Sequence, residues 1–470
     1  MIKRIFGFIL FVILLCVCSS AFAATININR SETYDPSRIE NDTNEFRVYK
    51  IFDVYKSADG QGMTYFMKNN NPWRSAVSRT GNVVFNDTPD GSGTYVTLPA
   101  YVDNNETTAL SFATAFKEEL ASLNLEGEYA AKQLTPGTPI EVEDGYYLVI
   151  SDLGENMILA TSDINITEKN DYPDVVKTVS LEDKNAEIGS EVHFEIIVTV
   201  PSGANKQIVL TDTMSNGLTF GSVTSVINNN GNNVDCEVSP VNFADNSFSI
   251  TFNEDIIKNN QGKNITISYC AYINNNAIYY MSETNEVQLQ YSNTFTTIPV
   301  SVEVETDMFR LLKYDNADAA KSPIAGAVFQ ILKNDIPVQL YKVDDYTYRI
   351  ATYEDSETSD TFVTADNEMI TVYGLDRDEI YELQEITPPA GYNLSSYKQP
   401  IQLSSDNELI IEFPNSKGTV LPSTGGAGTT GFVIGGTALT AIAGVIYLAR
   451  KKSDNDDNVW IFAIREKKAR

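Results

Sequence analysis

Apolar and polar positions alternate with a period of two along most of this chain. In 192–200, Val192, Phe194, Ile196, Val198 and Val200 share one parity. In 265–273, Ile265, Ile267, Tyr269, Ala271 and Ile273 do the same. Successive side chains of a strand point to opposite faces, so this spacing predicts strands with one buried face. Turn signals punctuate the runs: Pro201-Ser-Gly203, Asn216-Gly217 and Asn229-Asn-Gly231. Several short strands so separated predict a β-sandwich over 171–300.

The segment before it, 24–170, opens with the aromatic and β-branched run 45–55 and closes with Gly145-Tyr-Tyr-Leu-Val-Ile150, both predicted strands. Between them the period changes. Phe112, Phe116, Leu120 and Leu123 fall on one face of a helix predicted over 107–125, with Thr107 or Thr108 as its cap. Asp171-Tyr-Pro-Asp174 reads as a linker, because Pro173 favours an extended entry. The last segment, 301–416, carries strand patterns at 309–315, 325–332, 380–386 and 408–413. The expected fold class is all-β: tandem Ig-like sandwiches, the first with a helical insertion.

Two apolar runs do not alternate. Residues 5–17 follow Lys3 and Arg4 and precede Ala21-Phe22-Ala23, a small-x-small cleavage site, so 1–23 is expected to be a signal peptide. Residues 431–449 form a run of 19 without a charge, long enough for one membrane span. Arg450, Lys451 and Lys452 follow it and should stay in the cytoplasm, which puts everything N-terminal outside. The tail 453–470 is acidic, then apolar, then basic.

Composition narrows the function. A length of 470 residues suits about three domains. A formal charge of -29 argues against binding nucleic acid or anionic lipid. Cys16 and Cys18 leave with the signal peptide; Cys236 and Cys270 remain, either as a disulfide or as two thiols. The single histidine, His193, lies on the polar parity of its strand. Ser-His and Cys-His hydrolases and histidine-rich metal sites are thereby excluded. Neither a cofactor nor a metal is expected, and the chain reads as no conventional enzyme.

Before the span stand Leu421, Pro422, Ser423, Thr424 and Gly425, then a Gly/Thr spacer. Motif, spacer, span and basic stop in that order (421–452) resemble the LPxTG cell-wall sorting signal of Gram-positive bacteria, with Ser423 at the free position. The resemblance implies that a sortase cysteine attacks the carbonyl of Thr424 and releases Gly425 onward. The acyl group then passes to a peptidoglycan precursor or to a lysine of another protein. Pro422 removes an N–H and fixes φ, which keeps the segment extended for a protease-like cleft.

Tyr381-Glu-Leu-Gln-Glu-Ile-Thr-Pro-Pro-Ala-Gly-Tyr392 resembles the E-box of Cna B-type domains. In that family a first-strand lysine and a last-strand asparagine form an isopeptide bond beside the E-box glutamate. The matching residues are Lys313, Asn415 and Glu385. The chemistry is sound: burial lowers a lysine's pKa and frees its amine, while a buried carboxyl tends to hold its proton and can relay it as ammonia leaves. Phe309, Leu311, Leu312 and Phe413 are the expected apolar surroundings. Segment 171–300 lacks an E-box but resembles the middle domain of sortase-assembled pilins, which implies the trio Lys177, Asp212 and Asn285. In the first segment Lys50 and Asn170 could pair, but Ser151 stands where the E-box would place a glutamate.

Ile164-Asn-Ile-Thr-Glu-Lys-Asn170 resembles the acceptor motif of backbone pilins, with Thr167-Glu168 in place of Tyr-Pro. That implies Lys169 as the pilus-linking lysine, with Lys177 its main competitor. The whole chain is similar to Gram-positive sortase-assembled backbone pilins. The implied partners are a class C-type pilin sortase, further copies joined head-to-tail, accessory pilins, the peptidoglycan precursor and a host surface ligand. The alternative is a wall-anchored adhesin or accessory pilin, which needs the sorting signal but not Lys169.

Overall fold

Where the sequence alternates, strands form. The computed structural model describes residues 24–418 except 33, 58–61, 80–82, 98–105, 169–170 and 405–408. The expected signal peptide, sorting signal, membrane span and tail lie outside the described residues, as do Lys169 and Asn170. Among the described residues no helix is long and apolar enough to cross a membrane.

The N-terminal region holds two sheets. In the smaller, Ala24–Asn29 lies between Ile164–Thr167 and Ile140–Val142. The larger is built on Phe46–Lys56, paired with Gly145–Ile150 and Met63–Lys68. A helix, Glu106–Glu119, covers this sheet with Phe112 and Phe116 buried. It is shorter than expected. It starts at Glu106, so Thr107 and Thr108 lie inside it rather than capping it, and a 3₁₀ turn at Leu120–Ser122 ends it before Leu123. A second helix, Arg74–Arg79, is too short to have shown a period in the sequence.

The middle region is a sandwich. One sheet orders Asp174–Val179, Glu191–Val200, Lys263–Ile273 and Leu218–Asn228 side by side. The facing sheet is centred on Ile208–Met214 and Glu283–Tyr291. Val192, Phe194, Ile196, Val198 and Val200 are buried, as are Ile265, Ile267, Tyr269, Ala271 and Ile273. His193 points outward, its side chain 59% exposed. Cys236 and Cys270 are both free thiols.

Two pairings depart from the segment boundaries expected at 170 and 300. Val300–Val304 pairs with Glu283–Tyr291, so the middle sandwich runs past residue 300. Ile39–Asp42, from the N-terminal segment, pairs with Phe295–Thr297 and extends the same sheet. Both supply backbone partners to a sheet edge that would otherwise be open.

The C-terminal region is a second sandwich. Asp307–Asp315 lies between Ile370–Leu375 and Leu409–Asn415, parallel to the latter. The opposing sheet contains Val328–Lys333 and Tyr381–Thr387. One continuous core runs through both sandwiches. At their junction the Glu187 carboxylate accepts from Tyr381 Oη (2.5 Å) and pairs with Lys333 Nζ (3.0 Å), and Ile188 N–H donates to Gly374 O. Gly374 has φ +88°, and a Cβ there would meet Ile188 Cδ1 at 2.8 Å.

Candidate functional site

Period two delivers the candidate side chains to the core. In Asp174–Val179, Lys177 shares its face with Val175 and Val179. In Ile208–Met214, Asp212 shares its face with Ile208, Leu210 and Met214; in Glu283–Tyr291, Asn285 follows the parity of Val287 and Leu289. Each is a polar residue on a largely apolar stripe, so the strand cannot bury the stripe without burying the polar group.

The structure brings Lys177, Asp212 and Asn285 together. Asp212 and Asn285 lie on neighbouring antiparallel strands, where Asp212 faces Val287 and Met214 faces Asn285, so the two are diagonal neighbours. Lys177 reaches them from the opposite sheet. Its Nζ lies 2.6 Å from Asp212 Oδ2 and 2.5 Å from Asn285 Oδ1. The amine also sits 5.7 Å from the centre of the Phe194 ring and 5.6 Å from that of Tyr269. Burial lowers Lys177 to about 8 although Asp212 opposes the shift. Burial likewise raises Asp212. Asp212 Oδ1 is buried without a hydrogen-bond partner, a costly state for an ionised carboxylate. All three observations favour a neutral amine beside a protonated acid.

Sequence reasoning overlooked one member. Tyr269 Oη donates to Asp212 Oδ2 at 2.8 Å and accepts from Asn285 Nδ2 at 2.9 Å. The signal was its hydroxyl on the Ile265–Ile273 stripe, but an aromatic at such a position reads as ordinary core.

The C-terminal cluster is wired differently. Lys313 and Asn415 stand on adjacent parallel strands; Lys313 faces Phe413, two residues before Asn415 and on the same face. Glu385 comes from the opposing sheet. Its Oε1 accepts from Asn415 Nδ2 at 2.8 Å and lies 3.6 Å from Lys313 Nζ, while Ser395 N–H donates to Oε2 at 2.8 Å. Lys313 Nζ donates to Phe413 O at 3.1 Å. Burial lowers Lys313 to about 8 against the pull of Glu385. Phe309, Leu311 and Phe413 are buried around it. Leu312 is not part of this pocket: one residue from Lys313, it takes the other face of the strand and is half-buried.

Lys50 makes the opposite kind of site. It is 5% exposed, and its Nζ lies 2.5 Å from Asp53 Oδ1 and 2.6 Å from Glu143 Oε2. Burial alone would lower its pKa, but the two carboxylates hold it well above the usual lysine range. Ser151, at the E-box glutamate's place, instead satisfies the backbone N–H groups of Leu153 and Gly154. Beside the undescribed Lys169, Glu168 is buried, where its carboxylate accepts from Tyr172 Oη at 3.0 Å.

Residues 188–295 match the family described as Gram-positive pilin backbone subunit 2, Cna-B-like domain. Residues 307–417 match the prealbumin-like fold domain, and 414–455 match the LPXTG cell wall anchor motif. No curated protein matches the chain. Similar solved structures include the full-length major pilin SpaD from Corynebacterium diphtheriae, at 15% identity and TM-score 0.45, covering 84% of this chain and 97% of that one. The major pilin subunit BcpA of Bacillus cereus is 14% identical with TM-score 0.41, covering 84% and 99%. The full-length RrgB pilus protein from Streptococcus pneumoniae is 13% identical with TM-score 0.43, covering 85% and 99%. In its sequence matches, the chain carries in order a Gram-positive pilin-backbone Cna-B-like domain, a prealbumin-like fold domain and an LPXTG cell wall anchor motif.

Proposed function

We propose that this chain is the repeating shaft subunit of a covalently polymerised surface pilus. A class C-type pilin sortase cleaves after Thr424 and passes the acyl group to Lys169 of the next copy. Such head-to-tail joining does not close on itself, so it builds a fibre. Transfer to a peptidoglycan precursor ends growth and fixes the fibre to the wall, and accessory pilins join by the same chemistry. Intramolecular bonds Lys177–Asn285 and Lys313–Asn415 harden each subunit.

The observation that carries this reading is the pair of buried lysine–acid–asparagine clusters in two consecutive domains ahead of the sorting motif. In the C-terminal cluster the neutral Lys313 amine attacks Cγ of Asn415. Glu385, already hydrogen-bonded to Nδ2, supplies the proton with which ammonia leaves and recovers one from the amine. The bond suits a fibre under load. Tension that enters along 307–313 crosses directly to Asn415 and leaves, so residues 314–414 carry none of it. The Lys177–Asn285 bond shields 178–284 in the same way.

The test is the size distribution of the protein released from the cell wall. Wild-type cells yield a ladder resistant to heat and detergent, and Lys169→Ala collapses it to monomer. A ladder unchanged in Lys169→Ala removes Lys169 as the acceptor. A wild type without a ladder supports the wall-anchored adhesin instead.

A further inference from the structure

The two clusters differ in how the acid reaches the leaving nitrogen. Glu385 touches Asn415 Nδ2 directly. Aspartate is one methylene shorter, and among the described residues Asp212 makes no hydrogen bond to Asn285. The Tyr269 hydroxyl fills the gap, bonded on one side to Asp212 Oδ2 and on the other to Asn285 Nδ2. Tyr269 is 1% exposed, and its ring is held by stacking on Phe194 and edge contact with Phe248. A packed ring fixes the hydroxyl at one point, as a relay requires.

We propose that the Tyr269 hydroxyl is a catalytic group for bond formation in the middle domain, carrying a proton from Asp212 to the departing nitrogen of Asn285. The proposal rests on the reading of Lys177 and Asn285 as a bond-forming pair. As Nζ attacks, the Nζ–Cγ bond forms and Nδ2 gains a lone pair that can accept a proton. The hydrogen bonds then reverse: Asp212 gives its proton to Tyr269 Oη, and Tyr269 gives its own to Nδ2. The Cγ–Nδ2 bond breaks, and ammonia leaves with the two hydrogens of Nδ2 and the relayed one. Lys177 Nζ returns one hydrogen to Asp212 across their 2.6 Å contact. Acid and phenol end as they began, and nothing is oxidised or reduced. The hydroxyl's own acidity fits the task. Burial keeps it well above the ordinary tyrosine range, so it stays protonated between transfers.

The test uses the mature full chain, mapped by peptide mass spectrometry for both cross-links over time after synthesis. In Tyr269→Phe the Lys313–Asn415 link forms normally, while Lys177–Asn285 forms about 100-fold more slowly or not at all. If the wild type lacks Lys177–Asn285, the underlying bond is refuted and the relay with it. If the wild type has it and Tyr269→Phe forms it at the same rate, the relay alone is overturned. Because Tyr269→Phe could also act by disturbing the core, the decisive partner is Asp212→Glu in the Tyr269→Phe background. The longer acid reaches Nδ2 without a relay and restores the bond; a double variant that stays unbonded overturns the proposal.

Discussion

The middle and C-terminal clusters use the same three functional groups and divide them oppositely between sheets. In the middle domain the acid and asparagine share a sheet and the lysine crosses from the other. In the C-terminal domain lysine and asparagine are neighbours in one sheet and the acid crosses. The first bond would therefore clamp two sheets face to face, and the second would lock the first and last strands edge to edge. What the clusters share is burial that pushes the lysine to about 8. What separates them is the reach of the acid, glutamate alone in one and aspartate with tyrosine in the other. The proposed reaction thus calls for an environment and a proton path rather than one strand arrangement. Lys50 marks the boundary: equally buried, it is held charged by Asp53 and Glu143 and has no free pair for attack.

The largest expected effect comes from removing a bond. Each link closes a loop of about 100 residues, which in the chain-entropy account contributes roughly 4–5 kcal/mol. Asn285→Ala or Asn415→Ala should lower the melting temperature of its own domain by on the order of 20 °C in calorimetry. The other domain should keep its transition and its mass deficit, since the bonds are independent. Next, Glu385→Asp shortens the C-terminal acid with no hydroxyl to fill the gap. Formation of Lys313–Asn415 should slow by about 100-fold, followed by mass against time. A Glu385→Asp chain that closes at the normal rate would erase the distinction between the clusters.

A smaller effect is expected at Lys50. Lys50→Met should leave the cross-link mass deficit unchanged and cost about 1–2 kcal/mol, reduced from a fully buried pair because Glu143 is half exposed. The folded pKa of Lys50 is raised, so its contribution is complete below the ordinary lysine value of about 10.4 and fades as pH climbs through the folded value. Denaturation of the two chains should differ equally at pH 7 and 9 and converge in stronger alkali. An effect of similar size belongs to the joint between the sandwiches. Gly374→Ala strains a positive φ and crowds Ile188, for about 1–2 kcal/mol in urea titration, with both bonds intact.

The candidate lysines and asparagines were legible through resemblance, to the E-box of Cna B-type domains for one trio and to the middle domain of backbone pilins for the other. The structure adds the physical reason: Lys177 lies between the buried Val175 and Val179, and Asp212 between the buried Leu210 and Met214. Tyr269 was not legible, since an aromatic ring satisfies the stripe and conceals the hydroxyl. Sheet membership was not legible either, because alternation fixes which face is buried and leaves long-range pairing open. The opposite wiring of the clusters, the crossing of Ile39–Asp42 into the middle sheet and the added strand Val300–Val304 all depend on that pairing. The short helix Arg74–Arg79 carries too few turns to reveal a period.

The most direct test of the two-bond account is the intact mass of the mature chain under denaturing conditions. Each lysine–asparagine bond expels one ammonia, about 17 Da, so the account predicts a deficit of about 34 Da from the sequence mass. Peptide mapping should place it at Lys177–Asn285 and Lys313–Asn415. The plain sequence mass would contradict both bonds, and a third ammonia lost through Lys50 would contradict the contrast drawn between that lysine and the other two.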